Sequence, residues 1–105
     1  MVDAQVRTRL DADSVVVEVC GDLDGPSVAQ LRHVLVDAVL RRRPPRVVLD
    51  LERVTGIDAV GIGTLLGGCD AALDLGIAVL IRDPGSLVTQ RLQANGLPPA
   101  CLLAS

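Results

Sequence analysis

The sequence predicts an α/β fold built on a mixed sheet of four or five strands. Three observations carry this. Apolar residues alternate with period two at the N-terminus. They recur at helical spacing in three later segments, and they run almost unbroken in short stretches between those segments. Strand patterns that alternate with helix patterns imply parallel pairing through right-handed crossovers. The predicted order is β-β-α-β-α-β-α-β. No internal repeat or linker interrupts it, so the 105 residues are read as one domain spanning 1–105.

In residues 2–10, Val2, Ala4, Val6, Thr8 and Leu10 share one face, and Asp3, Gln5, Arg7 and Arg9 share the other. This predicts a half-exposed strand. "DADS" (Asp11 to Ser14) is a turn, and "VVVEVC" (Val15 to Cys20) is a second strand, antiparallel to the first. "GDLDGPS" is then a loop. Pro26 suits a first helical turn, and Val28, Leu31, Leu35, Ala38 and Val39 mark the inner face of a helix over 26–42. Gln30, His33 and Asp37 fall on its outer face, which places the only histidine in solvent. Pro44-Pro45 stops the helix. Arg41-Arg42-Arg43 precedes the stop, where cations favour the helix dipole.

"RVVLDL" (Arg46 to Leu51) has the continuous apolar character of a strand buried on both faces. "ERVTGIDAVG" is read as the loop that follows. Asp58 caps a second helix, whose buried face is Ile62, Leu65, Leu66, Cys69 and Leu73. "GIAVLI" (Gly76 to Ile81) is a buried strand. Asp83 and Pro84 open a third helix that points Val88 and Leu92 inward. Asn95-Gly96 ends it, with Leu97 packing back on the last turn. "ACLL", after Pro98-Pro99, is a last short strand.

Composition excludes several functions. There is no aromatic residue on which single-stranded nucleic acid could stack, and the net charge is −3. All ten basic residues are arginine, which removes Schiff-base chemistry and the phosphate-reaching lysine of a P-loop. Apolar runs fall well short of the roughly 20 residues of a membrane span. The first ten residues hold no apolar segment and carry Asp3, so no signal peptide is expected, and a cytoplasmic protein is. Cys20, Cys69 and Cys101 are far apart, odd in number and set in apolar segments. Reduced, buried thiols are expected, without metal spacing.

Sites in open α/β sheets form beyond the carboxyl ends of the strands. The loops expected there hold Asp22, Asp24, Glu52 and Asp58. A Mg²⁺ cluster needs converging oxygens, but Asp58 is explained as a cap and Asp24 by turn chemistry. Asp50, in "VVLDL", suggests a phospho-accepting aspartate. That chemistry needs an acidic pair after the first strand and a lysine near the last; the chain has no lysine, and "VRTRLDAD" leads into a hairpin rather than a crossover helix. A nucleophile after Asp58 needs a hydroxyl or thiol, but Ala59 and Val60 stand there. The nearest hydroxyls are Thr55 and Thr64. No catalysis, metal or cofactor is expected.

"VVVEVCGDLDGPSVAQLRHVL", "RVVLDLERVTGIDAVGIGTLL" and "RDPGSLVTQRLQANGL" together resemble a stand-alone STAS domain, the family of bacterial anti-sigma factor antagonists. The first stretch is similar to the family's second strand, acidic turn and first helix. The second is similar to its central strand and the turn into its second helix, and the third to its third helix. The resemblance spans the chain and implies the STAS fold. It also implies a partner: an anti-sigma factor that is itself a serine kinase. That partner phosphorylates a hydroxyl in an Asp-Ser-Ser-Gly or Asp-Ser-Thr-Gly turn and binds only the unmodified domain. Asp58, Gly61, Ile62 and Gly63 match that frame, while Ala59 and Val60 fill both hydroxyl positions.

The expected function is therefore a non-enzymatic, protein-binding regulator. Its docking residues are Asp22, Asp24, Asp58, Ala59, Val60, Gly61 and Ile62, with no phosphorylation at the turn. The alternative implied by the resemblance is a STAS subunit of a membrane transport system, an ABC-type lipid transporter, that binds the ATPase. Nucleotide binding at the strand ends is a third reading, for which no phosphate loop is seen. Gly61, Gly63, Gly67 and Gly68 each weaken a helix by about 1 kcal/mol relative to Ala. They permit either close approach by a partner or close packing within the domain.

Overall fold

The computed structural model describes residues 5–82, 85–97 and 101–103. It contains β1 (Gln5–Asp11), β2 (Ser14–Leu23), α1 (Gly25–Val36), a π-helical continuation of α1 (Asp37–Arg42), β3 (Arg46–Ile57), α2 (Ala59–Asp74), β4 (Ala78–Arg82), α3 (Gly85–Ala94) and β5 (Leu102–Leu103). The five strands lie in the order β1-β2-β3-β4-β5; β1 is antiparallel to β2 and the later pairs are parallel. The order of elements is the predicted one.

A sheet that grows in one direction through right-handed crossovers carries its helices on one face. The core follows that rule. Val15, Val17 and Val19 of β2, Val47, Leu49 and Leu51 of β3, and Val79 and Ile81 of β4 meet Leu31, Leu65 and Leu92 of the three helices. The other face is open and polar. Arg7, Glu18, Asp50 and Arg82 form one row across it, and Arg9, Val16, Val48 and Leu80 form the next. Arg9 Nε donates to Glu18 Oε1 at 2.9 Å, and Arg82 lies 3.9 Å from Asp50. Val16 and Val48 on this face are nevertheless buried.

The inner faces of α1 and α3 agree with the sequence. Val28, Leu31, Leu35, Ala38, Val39, Val88 and Leu92 are buried, and His33 is exposed. Leu97 is buried, and its N–H returns to the Leu92 carbonyl at 3.0 Å, closing α3 as expected. Asp83, Pro84, Pro98, Pro99 and Ala100 lie outside the described residues, as do residues 1–4.

Several expectations are corrected. Thr8 and Leu10 are exposed, Leu10 at 68%. β1 is an edge strand, and only its Val6 reaches the core cluster. The helix expected over 26–42 changes to π geometry at Asp37, and Arg43 ends it with φ +46°. On α2, Leu73 is exposed and Ala72 is buried. The chain reverses there, with the Ile77 N–H returning to the Ala72 carbonyl at 2.9 Å. Gly76 (φ +75°) belongs to that reversal, so β4 starts at Ala78. Cys20 is only half-buried because it faces the open side of the sheet, whereas Cys69 and Cys101 are buried.

The largest correction concerns the two acidic loops. "GDL" continues β2 to Leu23, and "ERVTGI" continues β3 to Ile57. After two register shifts, Asp22 pairs with Gly56 and Leu23 with Ile57. Each stretch is a poor strand by composition and becomes one because the other supplies its hydrogen-bonding partner.

Candidate docking turn

The extended ends of β2 and β3 carry two helix starts side by side. Asp24 stands at the head of α1, where Ser27 Oγ accepts from the Asp24 N–H at 2.9 Å and lies 3.0 Å from the Asp22 carbonyl oxygen, to which it donates. Asp58 stands at the head of α2. Its Oδ1 accepts from the Gly61 N–H at 2.7 Å, its carbonyl accepts from Ile62 at 3.0 Å, and its own N–H donates to the Leu23 carbonyl at 3.2 Å. The N-cap predicted for Asp58 is thus present, and it is tied back to β2.

Three further residues fix this turn. A Cβ at Gly61 would lie 2.9 Å from Ile57 Cγ1 and 3.1 Å from the Leu23 carbonyl oxygen, so the start of α2 can approach β2 only without a side chain there. Thr55 Oγ1 donates to Asp22 Oδ1 at 2.5 Å, tying β3 to β2 just below the turn. Arg91 of α3 donates from Nη1 to the Ile57 carbonyl, the last of β3. Sequence reasoning noted Thr55 only as a spare hydroxyl and missed Arg91. The contact from Arg91 crosses 34 positions in the chain, and no local pattern encodes it.

The structure divides the expected docking residues into two groups. Asp22, Asp24, Asp58, Ala59 and Val60 are exposed, Val60 at 60%. Gly61 is buried against Ile57 and Leu23, and the Ile62 side chain is in the core at 3%. The accessible tip is therefore a small apolar pair, Ala59-Val60, preceded by the exposed Asp58, with Asp22 and Asp24 exposed at the end of the neighbouring strand. Asp24 and Asp58 stand at helix N-termini, where the dipole favours negative charge. Among the described residues no group of three or more His, Cys, Asp or Glu side chains is placed to hold a metal ion. No described helix is long and apolar enough to cross a membrane.

The fold recurs in solved structures. Phosphorylated SpoIIAA, the cell-fate determinant of Bacillus, superposes with a TM-score of 0.80 at 20% identity, over 94% of this chain and 89% of that one. An anti-sigma factor antagonist from Mycobacterium paratuberculosis gives 0.71 at 22% identity, over 89% and 80%. The STAS domain of a SulP transporter from Vibrio cholerae gives 0.56 at 26% identity, over 84% and 67%. The fold is therefore that of SpoIIAA-like STAS domains. The family model described as "Mlab, STAS domain" matches residues 6–103, and the chain belongs to that family.

Proposed function

We propose that this protein is a non-enzymatic, cytoplasmic regulator that docks an anti-sigma factor or kinase-type partner through the turn at Asp58–Val60, with Asp22 and Asp24 beside it. Phosphorylation at the turn does not switch it. The observation that carries this reading is Val60, an aliphatic side chain 60% exposed at the head of α2, on a turn held by Asp58, Leu23, Gly61 and Arg91. A rigid apolar pair beside an exposed carboxylate suits a partner with a small hydrophobic pocket in a basic surround. Ala59 and Val60 offer no oxygen for phosphoryl transfer.

The test is calorimetric titration of the protein with purified anti-sigma factors from the same genome. Val60→Asp buries a charge in the contact and should weaken docking at least tenfold; unchanged affinity would place the interface elsewhere. Incubation with ATP and those kinases should leave the turn unlabelled, and stoichiometric phosphate on residues 55–64 would contradict the proposed lack of a switch.

The likeness to a SulP transporter STAS domain supports the second reading, a subunit of a transport system. Gene neighbourhood separates the two: sigma-factor regulators favour the first, transporter genes the second.

A further inference from the structure

β1 is an edge of the sheet, and its outer side has no strand partner among the described residues. The hairpin decides which backbone groups it presents. Asp11 and Ser14 flank a turn of only Ala12 and Asp13, so their facing N–H and C=O groups bond to each other. The pattern alternates from there: Arg9 bonds in the same way to Val16, Arg7 to Glu18 and Gln5 to Cys20. The N–H and C=O groups of Val6, Thr8 and Leu10 therefore point away from β2. Among the described residues they receive no backbone bond from any other element. Edges that resist pairing are commonly short, bulged, covered or broken by proline. β1 runs for 7 residues in unbroken register and holds no proline, whereas β5, at the other edge, has 2 residues.

The side chains of β1 say what fits beside it. Val6, Thr8 and Leu10 stand opposite Val19, Val17 and Val15 of the core, so they share the helix side of the sheet. Val6 is buried there, but Thr8 and Leu10 are exposed. Gln5, Arg7, Arg9 and Asp11 share the open side. Arg9 is turned to Glu18 and Asp11. Arg7 stands directly opposite Glu18, yet it forms no ion pair among the described residues. A strand beside β1 thus meets an unpaired cation on one face and an uncovered leucine on the other. Adjacent side chains on one face interact, so the complementary strand places an acidic residue by Arg7 and apolar residues by Thr8 and Leu10. A second copy of β1 fits poorly. Antiparallel pairing about a two-fold at Arg7, Thr8 or Arg9, the registers of longest overlap, each time sets arginine directly opposite arginine.

We propose that the outer edge of β1 takes up one extended segment of a protein partner, in which acidic residues alternate with apolar ones. The segment extends the sheet beyond β1 through the backbone groups of Val6, Thr8 and Leu10. Its acidic residues face Arg7, and its apolar residues cover Thr8 and Leu10. An extended chain is required, because it presents donors and acceptors at the spacing of the edge, whereas a helix uses its own internally. This surface is separate from the docking turn, which follows the ends of β2 and β3, and the proposal does not rest on the partner proposed there.

The experiment titrates three end-blocked peptides, each of the 7-residue length of β1, into the isotope-labelled full chain and follows them by NMR. One alternates Glu with Val. The second alternates Lys with Val. The third has the composition of the first, with its Glu and Val residues in two separate blocks. The alternating Glu/Val peptide should bind at least tenfold tighter than either of the others, with the largest shifts at the amides of Val6, Thr8 and Leu10. Thr8→Pro removes an outward N–H and no bond to β2, a change that an edge strand tolerates. It should weaken that binding at least tenfold. Arg7→Glu, on the exposed face, should reverse the preference to the Lys/Val peptide, and this readout decides alone if Thr8→Pro lowers the thermal midpoint. Equal affinity for the alternating and block peptides, an unreversed preference in Arg7→Glu, shifts away from β1, or no shift at millimolar peptide would overturn the proposal. Self-association in sedimentation that Thr8→Pro abolishes would assign the edge to a second copy and also overturn it. Val60→Asp should leave peptide affinity unchanged; a loss there would move the peptide to the docking turn and sink the edge proposal while the docking function stands.

Discussion

Two glycines of one helix illustrate how differently the same residue can act. At Gly61, an added methyl meets Ile57 and the backbone oxygen of Leu23, which cannot move without parting β2 from α2. Gly61→Ala should therefore cost about 1–3 kcal/mol in urea unfolding, although alanine is the better helix former. At Gly67 the same change meets open space, so it should stabilise the protein by up to about 1 kcal/mol, a few degrees in thermal midpoint. Opposite signs are the expected result. Sequence alone left partner approach and internal packing as alternatives for all four glycines of α2. In the structure, close contacts account for Gly61 and, against Leu35, for Gly68; they do not account for Gly63 or Gly67. What separates them is the distance to side chains and backbone on other elements, which no spacing along α2 reports.

At the scale of elements, the tip is held by three of them. β2 supplies the Leu23 carbonyl, β3 ends at Ile57, and α3 reaches across with Arg91. Arg91→Leu removes a cationic donor and leaves a part-buried carbonyl unpaired, at about 1–3 kcal/mol. Its mark should be local. Amide exchange over Ile57–Ile62 should quicken while that of β4 stays near the wild-type rate, as followed by NMR. A uniform rise would mean that Arg91 contributes only to global stability. The strand ends were illegible for a related reason. "GDLDG" and "ERVTG" hold the turn-forming residues that mark loops, and pairing between them overrides that local preference. Helix faces were far more legible, because a 3.6-residue repeat is written within the segment itself. It failed only at Leu73, where the chain turns away.

For the whole molecule, composition makes alkaline unfolding unusually simple to interpret. The sequence has no lysine and no tyrosine, so thiols are the side chains that titrate between about pH 8 and 12. Burial, reinforced by Cys101 and then Asp70, pushes the Cys69 thiol up to about 12 from an ordinary 9.0. Burial, and then Asp70, also raises Cys101. Above the ordinary value the unfolded chain loses these protons while the folded chain keeps them. The contribution to stability is thus complete below about pH 9 and is lost as the pH rises toward about 12. Urea midpoints measured from pH about 8 to about 11 should fall, by at most about 1.4 kcal/mol per pH unit for each such thiol, and Cys69→Ala should flatten the slope. The order of elements, the inner faces of α1 and α3, the cap at Asp58 and the missing hydroxyls at Ala59 and Val60 were all determined by the sequence. They are set by residue chemistry and by repeats only a few positions long. The tertiary structure alone decided that the acidic loops are strand ends, that Ile62 is core while Val60 is surface, that Arg91 secures the turn, and that Gly63 and Gly67 face open space. Each of these depends on which distant segment lies alongside, and that is decided only when burial of the common core brings the elements together.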